Sequence, residues 1–401
     1  MEIECYQDTR AKIAPYISST ERLNIVADES TNIRRQRVQN ICVHTRGLGA
    51  IYIESEAIQA DTLSGEWNAN WLHQRIHRIT GGNFSKVNAV STDTCSTQRK
   101  ALRILCQREE YRHVFSLGCD AHGLQLLMGD IVKIGWFQQV FSQASSIVAA
   151  FSTSPKQLAG LRAHMVRAYG KLFSFTIACI TRWGTHLAML RSVYRTQLAF
   201  QRFMDSLKPE DMTDTMTKIR PLAWDQSFWN NLKFIMELLD PIDKAIKMSE
   251  SDRSTAGHVV ARWKRVRRML KTKLAEMAHE HPDIAGCEER VFEKRFKRQV
   301  TDVYYVAHLL NPKMVNDSEI PFLTEAQWRE TLYKFFQRHH LNLVVAMREF
   351  DEFHDQAARF APGALIWNFA DDPVVFWRQA EAIAPNISMY SSVPSVLRPN
   401  Y

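Results

Sequence analysis

Short apolar runs rich in β-branched residues recur along the first third of the chain. They predict strands at residues 23–27, 38–44, 51–54, 87–92 and 114–117. Turn residues at 45–50 separate the second run from the third, and three strands so closely spaced imply an antiparallel meander. This part of the chain is therefore expected to form a sheet.

Helical spacing of apolar residues fills the gaps between the later runs. Leu72, Ile76 and Ile79 share one face of a helix that the glycines at 81–82 end. A second helix begins near residue 97, and a third has an apolar side formed by Leu124, Leu127, Met128 and Ile131. The order β-β-β-α-β-α-β-α matches the ribonuclease-H-like fold, in which the first strand lies beside the fourth and parallel to it.

Beyond residue 133 the pattern is mainly helical. One helix has Ser154 as its cap, Pro155 in its first turn and Gly170 beyond its end. Another, over residues 255–278, has an apolar stripe and, on its other faces, the basic residues Arg262, Lys264, Arg265, Arg267, Arg268, Lys271 and Lys273. The predicted fold class is α/β plus all-α, a ribonuclease-H-like mixed sheet interrupted by a large helical insertion.

The basic residues of that helix have two interpretations. They contact DNA phosphates, or they form a solvated face whose apolar stripe is buried in the insertion. The absence of acids among them favours DNA contact for Arg262, Lys264, Arg265, Arg267 and Arg268.

Two carboxylates follow predicted strands. Asp28 ends the first run, and Asp93 comes directly after the fourth. In a ribonuclease-H-like sheet these strands are neighbours, so both carboxylates are expected at one edge. Phosphodiester chemistry on this fold uses two divalent ions about 4 Å apart, and Mg²⁺ or Mn²⁺ is the expected cofactor if activity is retained. The alternative is that each aspartate is a solvated turn residue.

Composition limits the class of protein. A chain of 401 residues suggests two or more domains. The net charge of +8 permits a polyanionic partner, and seven scattered cysteines suit a reducing compartment. The chain has neither an apolar signal core at its start nor a run of ~18 apolar residues. We therefore expect a soluble, intracellular protein with no membrane partner.

Further motifs complete a recognisable series. In chain order they are Asp28 in ADESTN, Asp93 in STDTCS, Cys119 and His122 in GCDAHG, residues 181–183 (TRW), residues 306–313 (VAHLLNPK) and residues 371–377 (DDPVVFW). Their order and spacing resemble the hAT superfamily of cut-and-paste DNA transposases and its host-gene derivatives. The resemblance covers nearly the whole chain, from about residue 24 to residue 394.

The resemblance implies roles for the matched residues. Asp28 and Asp93 correspond to two catalytic, metal-binding carboxylates, and Cys119 and His122 to residues that support the active site. A capped, satisfied histidine is the alternative for His122. A zinc site is disfavoured, because two soft ligands stand without a second pair at suitable spacing.

The resemblance also implies contact surfaces. Arg182 and Trp183 correspond to residues near the cleaved DNA end, where an indole can stack on a base and a guanidinium can bind phosphate. A tryptophan packed in the core at a helix start is the alternative. Phe376 and Trp377 correspond to the family's dimerisation segment, so a homodimer is a possible assembly.

The departures from the family concern its third carboxylate. Family members carry this Glu in a Ser-x-x-x-Glu-Arg stretch, whereas here no acidic residue follows Glu381. The family's N-terminal zinc finger also has no counterpart before Asp28. We therefore expect a truncated or domesticated copy, in which the third catalytic Glu is absent and cleavage and strand transfer are lost.

The expected domains are an N-terminal remnant at 1–21, the first part of the ribonuclease-H-like core at 22–135, the helical insertion at 136–365 and a partial dimerisation segment at 366–401. The expected function is that of a nuclear, hAT-transposase-like DNA-binding protein with no small-molecule substrate. The alternatives are a nuclear protein-interaction module, a fragment of an active transposase and, more distantly, an unrelated ribonuclease-H-like nuclease.

Overall fold

A mixed sheet and a large set of helices form the molecule, as seen in a computed structural model. The structure describes residues 2–20, 22–45, 49–58, 64–178, 184–251, 254–277, 288–317, 319–339 and 341–388, with the single residues 279, 284 and 286. The strands are β1 (Leu23–Thr31), β2 (Arg37–Thr45), β3 (Gly49–Ile58), β4 (Val87–Thr92) and β5 (Phe115–Gly118). The α/β plus all-α fold class expected from the sequence is confirmed.

The strand order of the sheet is β3-β2-β1-β4-β5. β2 is antiparallel to both β1 and β3, whereas β1, β4 and β5 run parallel to one another. The antiparallel meander and the parallel pairing of the first strand with the fourth are therefore confirmed. This topology is that of a ribonuclease-H-like sheet.

β1 continues beyond its apolar run. The sequence pattern predicted its end at residue 27, but backbone pairing with β2 continues from Asp28, opposite Asn40, to Thr31, opposite Arg37. The last part of the strand is polar and increasingly exposed, so hydrophobic patterning could not mark it. Asp28 consequently lies within a strand, where its backbone position is fixed.

Helix α2 (Gly65–Thr80) packs its apolar face on the core of the sheet. Ile25 of β1 and Leu72 of α2 are both buried there. Ser64 caps the helix by accepting the backbone N–H of Trp67, and Gly81 ends it in the left-handed conformation (φ 62°). The predicted helix and its glycine stop are therefore confirmed.

The described residues divide into two compact units. The first is drawn from Met1–Gly123, Lys247–Arg265 and Phe296–Tyr401. Besides the sheet and α2 it contains the helices α1 (Glu2–Ser19), α3 (Ser96–Cys106), α13 (Asp302–Leu309), α14 (Glu325–Arg338), α15 (Leu343–His354), α16 (Pro373–Gln379) and α17 (Pro385–Ser388). This unit thus includes residues 247–265 and 296–365, which sequence analysis expected within the insertion.

The second unit is helical and is drawn from Leu124–Ile246 and Val266–Arg295. It contains the helices α5 (Gly135–Ser152), α6 (Pro155–Tyr169), α7 (Gly184–Tyr194), α8 (Gln197–Ser206) and α9 (Asp214–Ile219). The predicted limits of α6 are confirmed: Ser154 accepts the N–H of Gln157, and Gly170 has φ 68°. Four further helices have residues in both units, namely α4 (Asp120–Ile131), α10 (Gln226–Ser249), α11 (Val259–Met277) and α12 (Lys294–Gln299).

Gln299, at the end of α12, packs against two glycines near the end of β5. Its Nε2 donates to the carbonyl oxygen of Gly118 at 2.9 Å, and its side chain is buried. A Cβ built on Gly123 in α4 would come within 2.4–2.9 Å of the side chain of Gln299. Gly123 therefore leaves room for the amide that joins α12 to the sheet.

We expect Gly123→Ala to destabilise the fold by about 1–3 kcal/mol, because the new methyl group must displace a buried side chain. In a Gln299→Ala background the same substitution should instead stabilise the protein by up to ~1 kcal/mol, since alanine is the better helix former. Urea denaturation of the wild type, the two single variants and the double variant measures both values. An equal effect of Gly123→Ala in the two backgrounds would contradict this account.

Candidate functional site

Asp28 and Asp93 lie at the carboxyl edge of the parallel strands. The register of β1 on β4 pairs Ile25 with Val90 and Val26 with Ser91. Two residues further along each strand direction, the same register brings Asp28 level with Asp93. Strand continuation and parallel pairing therefore bring together the two carboxylates that sequence analysis singled out.

The turn after β4 fixes Asp93. Its Oδ1 accepts the backbone N–H of Cys95 at 3.0 Å, and the Sγ of Cys95 accepts the N–H of Gln98 at 3.4 Å, which caps α3. Burial raises the pKa of the Cys95 thiol to about 11, and the charge of Asp93 acts in the same direction. This cysteine is consequently a protonated cap beside the carboxylate.

The pKa of Asp28 is raised from 3.8 to about 6. Desolvation by burial is the largest cause, and the negative charges of Asp93 and Glu29 also raise it, while a backbone hydrogen bond at Glu29 lowers it. Two carboxylates that repel one another in a partly desolvated place are typical of a site that receives a cation or shares a proton.

Cys119 lies beside the aspartates, one residue after β5. Its backbone N–H donates to the carbonyl oxygen of Thr92 at 2.7 Å. Burial raises the pKa of its thiol to about 12, and the charges of Asp120, Asp28 and Asp93 add to the effect. Carboxylates that raise this pKa must lie near the thiol.

The Cys-x-x-His step also has a local role. The Sγ of Cys119 accepts the backbone N–H of His122 at 3.4 Å, so the cysteine caps α4. His122 is half-buried in the first turn of that helix. Support of an active site by these two residues stays a prediction, and the capping interaction accounts for their spacing.

The carboxylate next to the pair at the edge is already engaged in an ion pair. Glu29, next to Asp28, binds Arg37, with Oε1 at 2.5 Å from Nη2. Within the described ranges, no group of three or more His, Cys, Asp or Glu side chains could hold a metal ion. Binding of Mg²⁺ or Mn²⁺ by Asp28 and Asp93 therefore stays a prediction that rests on these two carboxylates alone.

Asp120 is a buried carboxylate that sequence analysis did not single out. Only 2% of it is exposed, and it accepts hydrogen bonds from Arg262 and, at 2.7 Å, from the indole of Trp263. Arg262 also donates to Ser254 at 2.8 Å. A signal for this network was present: Arg262 stands three residues after Val259, on the apolar side of α11.

The predicted DNA contact of Arg262 on α11 needs correction, whereas that of Lys264 stays a prediction. Arg262 is buried in the network with Asp120, so its guanidinium is unavailable to a phosphate. Lys264 forms an ion pair with Asp317 and lies 3.7 Å from Glu319. The acids that pair with Arg262 and Lys264 come from distant segments, whereas Lys273 pairs with Glu276 of the same helix at 2.7 Å. Arg265 and Arg268 are exposed, whereas Arg267 is partly buried.

The two other predicted contact surfaces are the DNA-end contact and the dimerisation segment. Arg182 and Trp183 lie outside the described residues. Phe376 and Trp377 of α16 are fully buried in the chain itself. Trp377 donates from Nε1 to the carbonyl oxygen of Leu310 at 2.7 Å, and Phe376 packs against a group of aromatic rings. These two side chains therefore belong to the core of the chain rather than to an exposed dimer surface.

The fold and the paired aspartates define a protein with a ribonuclease-H-like core. Residues 4–147 match a family model described as "Domain of unknown function (DUF659)", a domain found in hAT-like, transposase-related families. The match includes the whole sheet. A comparison with curated proteins gave no match. The family match is compatible with a transposase-like origin.

Among the helices that the structure describes, none combines the length and the hydropathy needed for a bilayer crossing.

The raised pKa of Asp28 predicts a pH dependence of stability. Asp28 keeps its proton to higher pH in the folded chain than in the unfolded one, so folding is favoured at low pH and loses stability as pH rises from about 4 through 6. In EDTA near neutral pH, Asp28→Asn should therefore stabilise the protein by on the order of 1–2 kcal/mol, with little effect near pH 4.

Asp93→Asn should give part of this gain in the free energy of unfolding, because it removes a charge that repels Asp28. A less stable Asp28→Asn protein in urea denaturation near neutral pH would contradict this interpretation.

The buried ion pair predicts a contrast between two neighbours on α11. Arg262→Ala leaves the Asp120 carboxylate buried without its cation and should lower the free energy of unfolding by about 3–5 kcal/mol. Arg265→Ala, at an exposed position, should change it by less than about 0.5 kcal/mol. Adding Asp120→Asn to Arg262→Ala should restore part of the loss. Chemical denaturation tests the contrast, and equal effects of the two arginine substitutions would oppose it.

Proposed function

We propose that this chain is a nuclear, hAT-transposase-like protein that binds DNA and does not cleave it. The observation that carries the proposal is the pair of aspartates, Asp28 and Asp93, level at the carboxyl edge of a ribonuclease-H-like sheet without a third carboxylate grouped with them among the described residues. The family match over residues 4–147 supports a transposase-like origin.

The expected loss of cleavage follows from charge and ligand number. Asp28 and Asp93 would hold a divalent cation, and its charge would lower the raised pKa of Asp28. When bound, such an ion supplies electrostatic stabilisation of a phosphate oxygen. Ligands for a second ion are lacking in the described part of the chain, so activation of the attacking group and stabilisation of the leaving group cannot be shared between two ions.

DNA binding is expected to use basic surfaces that remain exposed. On α11 these surfaces include Arg265 and Arg268. For Arg182 and Trp183, a DNA contact is suggested by the family resemblance alone. Self-association remains part of the proposal, but it would need a surface other than the buried side chains of Phe376 and Trp377.

A second function is favoured by one observation. Arg262 and Lys264 are neutralised by acids of the same unit, which reduces the basic surface of α11. A nuclear module that binds protein partners through this fold would have no need of that surface. DNA affinity and its dependence on salt distinguish the two functions.

The test combines binding and cleavage by the purified chain. We expect salt-dependent binding to a short duplex and, with Mn²⁺, no nicking of supercoiled plasmid above the level of Asp28→Asn. Charge reversal of Arg265 and Arg268 should flatten the salt dependence, whereas reversal of Arg162 and Arg167, exposed on α6, should not. Nicking that Asp28→Asn abolishes would contradict the proposed loss of cleavage. Failure to bind any duplex at low salt would favour the protein-interaction module.

A further inference from the structure

The hairpin between β1 and β2 ends in a basic tip formed by residues 32–37, with the sequence NIRRQR. Ile33 is fully exposed at this tip, and Arg34 and Arg35 are exposed beside it. Neither arginine makes an ion pair within the described part of the chain, whereas Arg37 is bound to Glu29. The tip thus presents one aliphatic side chain and two uncompensated guanidinium groups to solvent.

Asn32 gives the tip a defined shape. Its Oδ1 accepts the backbone N–H groups of Arg34 and Gln36, each at 2.9 Å, and its Nδ2 donates to the side chain of Gln36 at 2.9 Å. The backbone N–H of Arg35 donates to the carbonyl oxygen of Asn32, and Arg35 has φ 60°. These hydrogen bonds hold an uncommon backbone conformation in place. The exposed side chains are therefore carried on an ordered turn.

The tip stands at the same edge of the sheet as the aspartates. β1 runs toward that edge, and Asn32 follows Asp28 by four residues, roughly 13 Å of extended strand. If a duplex lay over Asp28 and Asp93, the hairpin tip would therefore reach one of its neighbouring grooves and the phosphates beside it.

We propose that the β1–β2 hairpin tip is a duplex-DNA contact, in which Arg34 and Arg35 bind backbone phosphates on either side of the minor groove and Ile33 enters the groove. Guanidinium groups bind phosphate oxygens through charge-assisted hydrogen bonds, and aliphatic side chains that enter the minor groove partly unstack base steps. A single isoleucine offers too little apolar area to hold a membrane surface. The proposal rests on the proposed DNA-binding function and adds to it a place of contact.

The first experiment measures the affinity of the full chain for a fluorescein-labelled, mixed-sequence duplex over a range of salt concentrations. Replacing both arginines (R34Q/R35Q) should reduce the slope of log K against log salt by about 1.8 and the affinity near 0.1 M salt on the order of 30–100-fold. The control R162Q/R167Q removes the same charge from α6 and should leave both values unchanged. Thermal unfolding by circular dichroism verifies that the variants remain folded.

The second experiment places 2-aminopurine in the duplex to report unstacking. The wild-type chain should increase its fluorescence, Ile33→Ala should abolish the increase, and Ile33→Leu should retain it. If R34Q/R35Q binds DNA with the wild-type slope, the hairpin contact is wrong while DNA binding stands. If the wild-type chain binds no duplex, the proposed function fails together with the contact. Loss of binding to phosphatidylserine vesicles in R34Q/R35Q, with unchanged DNA affinity, would also overturn the proposal.

Discussion

The parallel pairing of β1 with β4 determines which side chains meet at the carboxyl edge of this sheet. It aligns two strands whose residues are far apart in the chain, and the alignment brings Asp28 level with Asp93. The antiparallel pairing with β2 then extends β1 past its apolar part, so Asp28 is held by a strand ladder. The repulsion between the carboxylates and the raised pKa of Asp28 are consequences of this pairing and of burial. The same strand continues to the basic hairpin tip, so one element positions both features.

A second constraint joins the segments of the first unit. The ion pair between Asp120 and Arg262 links positions 142 residues apart, and both side chains are almost completely buried. Breaking such a pair would leave a buried charge without its partner, which is energetically costly. The ion pair therefore favours one arrangement of α11 against the end of β5. Gln299 and its bond to Gly118 add a further long-range link to the same strand end. Residues from three separate stretches of sequence thus meet where β5 ends.

Much of this architecture could be predicted from the sequence, because strand and helix periodicity is local. The runs at 23–27 and 87–92, the glycine stop at 81–82 and the caps of α6 all mark their elements directly. Long-range partners could not be found in this way. In the sequence Arg262 is one of many basic residues on its helix, and only the fold places Asp120 opposite it. The aromatic residues Phe376 and Trp377 likewise gave no sign of whether their partners were in the same chain or in another. Exposure of the hairpin tip depends on the continuation of β1 to Thr31, which its polar residues do not signal in the sequence.

The proposed loss of cleavage depends on the number of divalent ions that Asp28 and Asp93 can hold, which we propose to be one. The most direct test is the number of Mn²⁺ ions bound per chain near neutral pH, measured by electron paramagnetic resonance with wild type and Asp28→Asn. The account predicts a single, weakly held ion that Asp28→Asn removes. Two ions bound per wild-type chain, both lost in Asp28→Asn, would mean that further ligands complete the site and would contradict the claim.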